Sequence, residues 1–464
     1  MFRRSLLRAP LRALARPASS FLPAPSWAVT DAEAAVRDAA AAWATAELPQ
    51  ARVQRMDAAS RLEPALISSL FSAGLMGIEI PEKHGGVGAS FMAAVLAIEE
   101  LSKRDASVAV MADVQNTLVN NVFKKWGSPA VNDFALPLLA GSTVGCFCLS
   151  EAGSGSDAFA LRTRATLDKG DGHYVISGEK MWITNANEAG LFLVFATVDP
   201  ALAHRGITCF LAERSAPGLV VGKAEDKLGI RASGTMQLSF DGLRVHPSRV
   251  VGKVGEGYKI AIGILNEGRV GIAAQMLGIA QGAFDLAVPY ALQRKQFGQA
   301  VGEFQGMQHQ FAQAATDIEA ARALTYAAAR LKMEADAAPG TDPRHFIRAA
   351  AMAKLQASQV AERTTSKAVE WMGGMGFVRE SGVEKFFRDS KIGVRRRAHA
   401  RAPPPISLAM AWCNRRTISR PPPPPHLARR PFTRGPPTSS SAPLRRALRR
   451  STSEARARAP TVCL

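Results

Sequence analysis

The stretch 147-FCLSEAGSGSD-157 begins as a strand at Phe147, Cys148 and Leu149 and then breaks into a loop built mostly of Ser, Gly and Ala. Such a loop offers backbone N–H groups and the hydroxyls of Ser150, Ser154 and Ser156 with little side-chain bulk, which suits a flat heteroaromatic ring or a phosphate. A plain β-turn has the same composition. The choice between them turns on the flanking text.

Working outward, residues 143–253 hold "YVISGEKMWITNA", "LFLVFATVD", "GITCFLAE" and "MQLSFDGLRV", short β-branched or aromatic runs punctuated by Gly, Asp and Pro. This pattern predicts a compact β domain. Residues 31–142 are Ala-rich with helical apolar spacing, as in "FMAAVLAIEELSKRDASVAVMADVQ", interrupted by the turn "IPEKHGGVGAS". Helical period returns over 254–394, where Phe304, Phe311, Ile318, Leu324 and Leu331 recur along one expected face. Gly271, Gly278 and Gly282 sit inside another helical run, each at a cost of about 1 kcal/mol, so they predict close approach of a helix or ligand. The fold class is therefore α+β: a helical domain, a β domain and a second helical domain, with length enough for a core in each.

The net charge of +19 resides in the ends of the chain. Residues 395–464 hold 16 Arg and one acid, Glu454, and residues 1–30 hold five Arg and no acid. The remaining 37 Lys+Arg and 38 Asp+Glu leave 31–394 near neutrality, which argues against a nucleic-acid-binding domain. The opening "MFRRSLLRAPLRALARPASSFL" reads as a transit peptide over 1–30. No apolar run approaches the roughly 18 residues of a membrane span. The five cysteines form no C-x-x-C ligand set, and no metal site is expected. Cys146 and Cys148 are expected on one strand face, in the core. Neither "GGVGAS" nor "GKVGEGYK" has the context of a dinucleotide-fold glycine motif.

Taken in order, "FCLSEAGSGSD", "GEKMWITNA", "KLGIRASGT", "LNEGRVGIAAQMLGIAQGAFDLAVPYALQRKQFG", "FQGMQHQ" and "EWMGGMGF" resemble the motifs of the acyl-CoA dehydrogenase family, and within it the short/branched-chain group. The resemblance spans 31–394. It implies an N-terminal α-helical domain, a β-barrel-like middle domain and a C-terminal four-helix bundle, assembled as a homotetramer in the mitochondrial matrix, with FAD as cofactor. By this likeness Phe147, Leu149, Ser150 and Ser156 line the flavin, with Ser156 also near the thioester. Trp182 covers the ring beside Ile183, and Thr184 bonds near N5. Arg294 and Gln305 meet the pyrophosphate and adenine side, as do Glu370, Trp371, Met372, Gly373 and Gly374 from a neighbouring subunit. His204, Tyr258, Asn266, Glu267, Gly268 and Arg269 are the implied acyl-CoA positions. The implied reaction is α,β-dehydrogenation of an acyl-CoA to a trans-2-enoyl-CoA, with electrons passing to an electron-transferring flavoprotein.

The resemblance stops at "RDSKIG". Relatives of this group continue with text like "TIYEGxSNIQ", whose Glu is the catalytic base. Here Gly393 is followed by "VRRRAHARAPPP", and no Glu occurs from Lys391 to Ser453. Other relatives carry the base directly before the Arg of the "NEGR"-like motif, a position held here by Gly268. Glu267, one residue away, is turned by about 100° around a helix. The tail over 395–464 holds 13 of the 28 prolines and is expected to form no packed helix. Its abrupt onset reads as a changed reading frame, a retained intron or a gene-model boundary. A non-catalytic flavin- or acyl-CoA-binding protein of the same fold is the alternative reading.

Overall fold

The computed structural model describes residues 28–338, 340 and 342–395. The expected leader, apart from 28–30, and the expected tail, apart from Arg395, lie outside the described residues.

Helix α1 (Asp31–Glu47) starts at a capping box, in which Thr30 caps Glu33 and the Glu33 carboxylate returns to the Thr30 N–H. Helices α2 (Gln50–Ala59), α3 (Pro64–Ser72), α4 (Phe91–Ser102) and α5 (Ala106–Asp113) come next. A fully buried π-helical stretch, Val114–Asn120, then leads into α6 (Asn121–Trp126) and α7 (Pro129–Gly141). Asn116 and Asn120 of that stretch donate to the carbonyls of Leu75 and Met76 at 2.8 and 2.9 Å, so the wide turn is stitched to the loop beneath it.

The middle sheet comprises β1 (Val144–Cys148), β2 (Arg164–Leu167), β3 (Tyr174–Thr184), β4 (Ala189–Thr197), β5 (Ile207–Glu213), β6 (Leu219–Ala224), β7 (Thr235–Val245) and β8 (Val250–Val251). Its strand order is β6-β7-β3-β2-β4-β5-β8, with β1 joined to β4 in parallel. Cys146 and Cys148 lie on one face of β1, both fully buried, with their sulfurs 3.4 Å apart. They belong to the apolar core of the sheet.

Helix α8 (Gly257–Gln293) runs through the protein, followed by the hairpin of β9 (Lys295–Gln296) and β10 (Gln299–Ala300). Then come α9 (Gln305–Ala337), α10 (Pro343–Met372), the short α11 (Gly374–Phe377) and α12 (Val383–Arg395). Among the described residues α8 is the helix long and apolar enough to cross a membrane, yet 78% of its apolar window is buried inside the protein. It is a core helix.

Its glycines explain that burial. A Cβ on Gly278 would run into the Glu99 carbonyl of α4, and one on Gly271 into the Asp113 carboxylate. Close helix approach is therefore what these glycines allow. The expected stripe on α9 differs in detail. Ile318 is buried, but Leu324 is 39% exposed and Phe304 precedes the helix as its N-cap residue. The buried face is carried by Ala314, Ala321, Ala328 and Ala329, because small side chains let α9 sit close to its neighbours. Periodicity weighted towards large apolar residues therefore drifts off the buried face between Ile318 and Leu324.

Replacing Gly278 by Val is expected to cost about 1–3 kcal/mol through overpacking against α4 backbone. Thermal unfolding measures this, and a midpoint equal to that of the parent would contradict the close approach.

Candidate functional site

Strand β1 is buried along its whole length, and the chain leaves it at Cys148 into the Ser/Gly loop. Within the loop Glu151 and Ser154 exchange backbone hydrogen bonds at 3.0 and 3.1 Å, and the Ser154 hydroxyl donates to the Asp157 carbonyl at 2.7 Å. Beyond this small bridge a Cβ on Gly153 or Gly155 would meet nothing within 4 Å, so the outer side of the loop is open.

What fixes the loop is a carboxylate. Glu151 is 8% exposed and accepts from the Arg162 N–H at 2.6 Å, the Thr163 N–H at 3.1 Å and the Thr163 hydroxyl at 2.7 Å. The fully buried Lys180 donates to it at 2.7 Å and to the Leu149 carbonyl at 3.2 Å. Burial raises the Glu151 pKa, but the Lys180 charge and these donors outweigh it and hold the carboxyl below 4.5. Burial pulls Lys180 below the usual lysine range, against the opposing effect of Glu151. Sequence reading passed over this pair. The signal was a Glu inside a small-residue loop and a Lys inside an apolar strand.

Strand β3 supplies the facing wall. The Met181 N–H donates to the Ser150 carbonyl at 2.9 Å, which ties the loop to the strand. The pairing of β3 with β7 slips between Lys180 and Ile183, and Trp182 in that bulge has φ of 64°. A bulge re-aims a side chain, and a non-glycine residue in left-handed backbone is held there by its surroundings. Trp182 is consequently 39% exposed, while Ile183 is buried and Thr184 half-buried. Ser150 is half-buried and Ser156 exposed. Leu149 is buried, as is Phe147, whose ring packs on Phe195 with centroids 4.7 Å apart. An open small-residue loop beside an exposed indole fits a planar ring system.

A second group gathers at the start of α8. The Tyr258 ring lies 4.2 Å from that of Phe159 and 4.7 Å from that of His204. One to three turns on, Asn266 donates to the Ile262 carbonyl at 3.0 Å and accepts from Arg269 at 2.5 Å. Glu267 is 2% exposed and bound by Lys125 at 2.5 Å and Asn121 at 2.9 Å. Burial raises its pKa, and Lys332 and Lys125 moderate the rise. A Cβ at Gly268 would lie 2.7 Å from Leu118.

The third group sits at the other end of α8. Arg294, the C-cap residue, donates to the Met372 carbonyl at 3.2 Å, and Trp371 donates to Gln310 at 3.1 Å. Gly373 has φ of 59°, and a Cβ there would lie 2.8 Å from the Arg294 guanidinium. Glu370 pairs with Lys367 at 2.5 Å, and Gln305 and Gly374 begin α9 and α11. Asn185, just beyond Ile183 and Thr184, donates to the Met111 carbonyl of α5, and Asp113 of α5 faces Gly271. From Gly271 to Arg294 is roughly 35 Å of helix at 1.5 Å per residue. The fold thus unites the loop with the Trp182 wall, His204 with Tyr258, and Arg294 with Glu370–Gly374. Arg294 closes α8 at the end opposite Tyr258.

Lys180→Met leaves a buried carboxylate without its cation, so a loss of about 3–5 kcal/mol is expected in denaturant unfolding. Because the folded Glu151 pKa lies below 4.5, its contribution is complete above that pH and is lost as pH falls through the lowered value. Glu151→Gln should therefore be less stable than the parent near neutrality and show a flatter acid limb. Parallel acid limbs would contradict the assignment.

The three segments of the fold each have counterparts among known proteins. The N-terminal, middle and C-terminal domains of acyl-CoA dehydrogenase match residues 30–142, 146–243 and 255–393. The short/branched chain specific acyl-CoA dehydrogenase of Rattus norvegicus is 56% identical over 341 residues, covering 74% of this chain and 77% of its own. A probable enzyme of the same description from Dictyostelium discoideum is 53% identical, covering 74% of this chain and 80% of its own. Among solved structures, butyryl-CoA dehydrogenase from Megasphaera elsdenii superposes with a TM-score of 0.75 at 38% identity, covering 79% of this chain and 94% of that one. With three domains matched in order and relatives above half identity across most of their length, this chain belongs to the acyl-CoA dehydrogenase family of oxidoreductases.

Proposed function

We propose that residues 31–394 bind FAD and a short or short-branched acyl-CoA, and that this framework serves the α,β-dehydrogenation of the ester in the mitochondrial matrix, with an electron-transferring flavoprotein as acceptor. The observation that carries the reading is the open Ser/Gly loop clamped beside the bulged, exposed Trp182. In this reading Ser150 and Thr184 orient the planar group through their hydroxyls and Trp182 excludes water from one face. FAD, when bound, supplies the acceptor for the hydrogen that leaves the β-carbon. The aromatic group of Phe159, His204 and Tyr258 receives the ester, and Ser156, Asn266 and Arg269 supply polar contacts near it. The placing of Arg294 at the end of α8 opposite Tyr258 supports a site completed by a neighbouring subunit, as in a homotetramer.

Proton removal from the α-carbon needs a carboxylate in reach, with a pKa lifted towards working pH. The chain from Lys391 to Ser453 contains no Glu, and Gly268 has no side chain to offer. Glu267 is held by Lys125 and Asn121. These observations favour a second reading for the chain as it stands: it binds flavin and ester without dehydrogenating the ester.

Residues 31–394 joined to a family-like C-terminal helix are expected to purify yellow, and the 464-residue chain to show negligible reduction of an electron acceptor with 2-methylbutyryl-CoA or butyryl-CoA. Replacing the residues from Val394 onward with a "TIYEG"-type ending should restore turnover, and changing the Glu of that ending to Gln should remove about 10² to 10⁴ of it. A colourless, folded protein would refute the cofactor assignment. Equal rates for the unmodified and repaired chains would show that another base exists.

A further inference from the structure

A cleft of about 270 Å³, lined by none of the residues assigned above to flavin or ester, opens where the turn between α2 and α3 meets the turn between β3 and β4. Leu62, Ile67 and Val144 form its apolar side, and Arg61 and Glu188 bring opposite charges to it. Glu188 is half-buried, and its Oε1 accepts from the Asn187 amide at 2.6 Å. Its Oε2 is closed in beside Gly234, where a Cβ would lie 3.0 Å from it, and has no hydrogen-bond partner among the described residues. Burial raises the Glu188 pKa, against the Asn187 bond and the charges of Arg61 and Arg214. The other nearby cations are committed to backbone. Arg214 donates to the Ala186 and Ala189 carbonyls at 3.1 and 3.0 Å, and Lys227 to the Ser233 carbonyl at 2.8 Å. Arg61 is exposed, and its side chain makes no hydrogen bond or ion pair among the described residues.

An acid and a base thus line one small cleft, near enough for each to feel the other's charge yet out of contact. A partly buried carboxylate held by a single neutral donor costs free energy that a cation would offset. A lone cation would answer Glu188 and leave Arg61 unmatched. An α-amino acid carries its ammonium and carboxylate on one carbon, so it bridges facing charges that do not reach each other, and the guanidinium fork matches its carboxylate. We propose that this cleft binds a free aliphatic α-amino acid, with its ammonium on Glu188, its carboxylate on Arg61 and its side chain against Leu62, Ile67 and Val144. Leu62 and Val144 are 1% and 3% exposed, so the alkyl group meets a wall that belongs to the core. The site shares no residue with the proposed flavin and ester positions and stands apart from them.

The test is calorimetric titration of the full-length chain with L-leucine, with isopentylamine, which lacks the carboxylate, and with isocaproate, which lacks the ammonium. L-Leucine should bind saturably, and each single-charge analogue about tenfold or more weakly. Glu188→Gln should weaken L-leucine by about tenfold and leave isocaproate within about twofold, whereas Arg61→Gln should weaken L-leucine similarly and leave isopentylamine within about twofold. Glycine, without an alkyl group to bury, should bind about tenfold or more weakly than L-leucine. L-Leucine should also raise the thermal midpoint of the parent and not that of the chain carrying both substitutions, which separates loss of binding from loss of fold. No saturable binding of L-leucine to the parent overturns the site, as does unchanged affinity in both Gln variants. Affinity for glycine or isopentylamine equal to that for L-leucine overturns the ligand class.

Discussion

The Lys180 ammonium is buried completely, 2.7 Å from the Glu151 carboxylate, at the point where β1, β2 and β3 meet the Ser/Gly loop. Taking both charges out of water costs several kcal/mol per ion even after relaxation, and only good geometry with satisfied remaining lone pairs offsets that cost. Here the carboxylate has three further donors, from Arg162 and Thr163, and the ammonium also reaches the Leu149 carbonyl. A pair of this kind adds little net stability over an apolar substitute, but it accepts one arrangement of three chain segments. It adds to the Glu151–Ser154 bridge and the Met181–Ser150 bond in holding the Gly/Ser loop to a single shape. The loop surface, the bulge that exposes Trp182 and the backbone position of Arg162 all hang from that arrangement.

Helix α8 does for the whole chain what the ion pair does for the loop. Its glycines let α4 and α5 lie against it, and its length sets the distance between the residues at its two ends. The last helix is then pinned by buried charges. Lys385 pairs with Asp389 at 2.6 Å and with Asp105 at 3.3 Å, and Asp389 accepts from the Ile230 N–H at 2.5 Å. Burial lowers the Lys385 pKa, but Asp105 and Asp389 more than compensate and raise it. Arg388 reaches Asp57 at 2.8 Å, so α12 is bound to both the N-terminal helices and the middle segment. The exit of the chain is fixed as a result. The Gly393 carbonyl accepts from Lys354 at 2.7 Å, and a Cβ on Gly393 would collide with Met276 of α8.

The order of helical, β and helical segments was legible because each has a different apolar period, and the turn residues between them are unambiguous. The glycines of α8 were legible for the same reason, since three breakers inside a helix need a steric cause. The buried face of α9 was not, because alanine carries too little hydrophobicity to mark the side that packs closest. The site was legible unevenly. Local text showed an open loop, but the role of Trp182 depended on likeness to a family, since a bulge arises from a mismatch of register between two distant strands. Glu151 and Lys180 stand 29 residues apart, and a lone charged residue in a sequence reads as solvated until a partner is seen. A cavity of about 400 Å³ beside Arg164 is hidden for a similar reason, because its members come from the 159–162 segment, β2, β4 and the stretch from Pro200 to Ile207.

Those placements also bear on whether any other carboxylate of α8 can take over the work of a base. Glu267 faces away from Arg269 and Asn266 into a cluster with Lys125, Lys332 and Glu79, where Lys332 lies 3.8 Å from it and 3.7 Å from Glu79. Swinging it out would leave two lysines near Glu79 with one carboxylate fewer, and it would break the link from α6 to α8 and α9. At position 268, the Cβ of any side chain would first displace Leu118 of the π-helical stretch. Burial does raise the Glu267 pKa, but the same burial keeps it paired with Lys125 and Lys332. A shifted pKa without access to the substrate is a property of the core. The chain then leaves α12 past Gly393, at an exit that Met276 and Lys354 hold fixed.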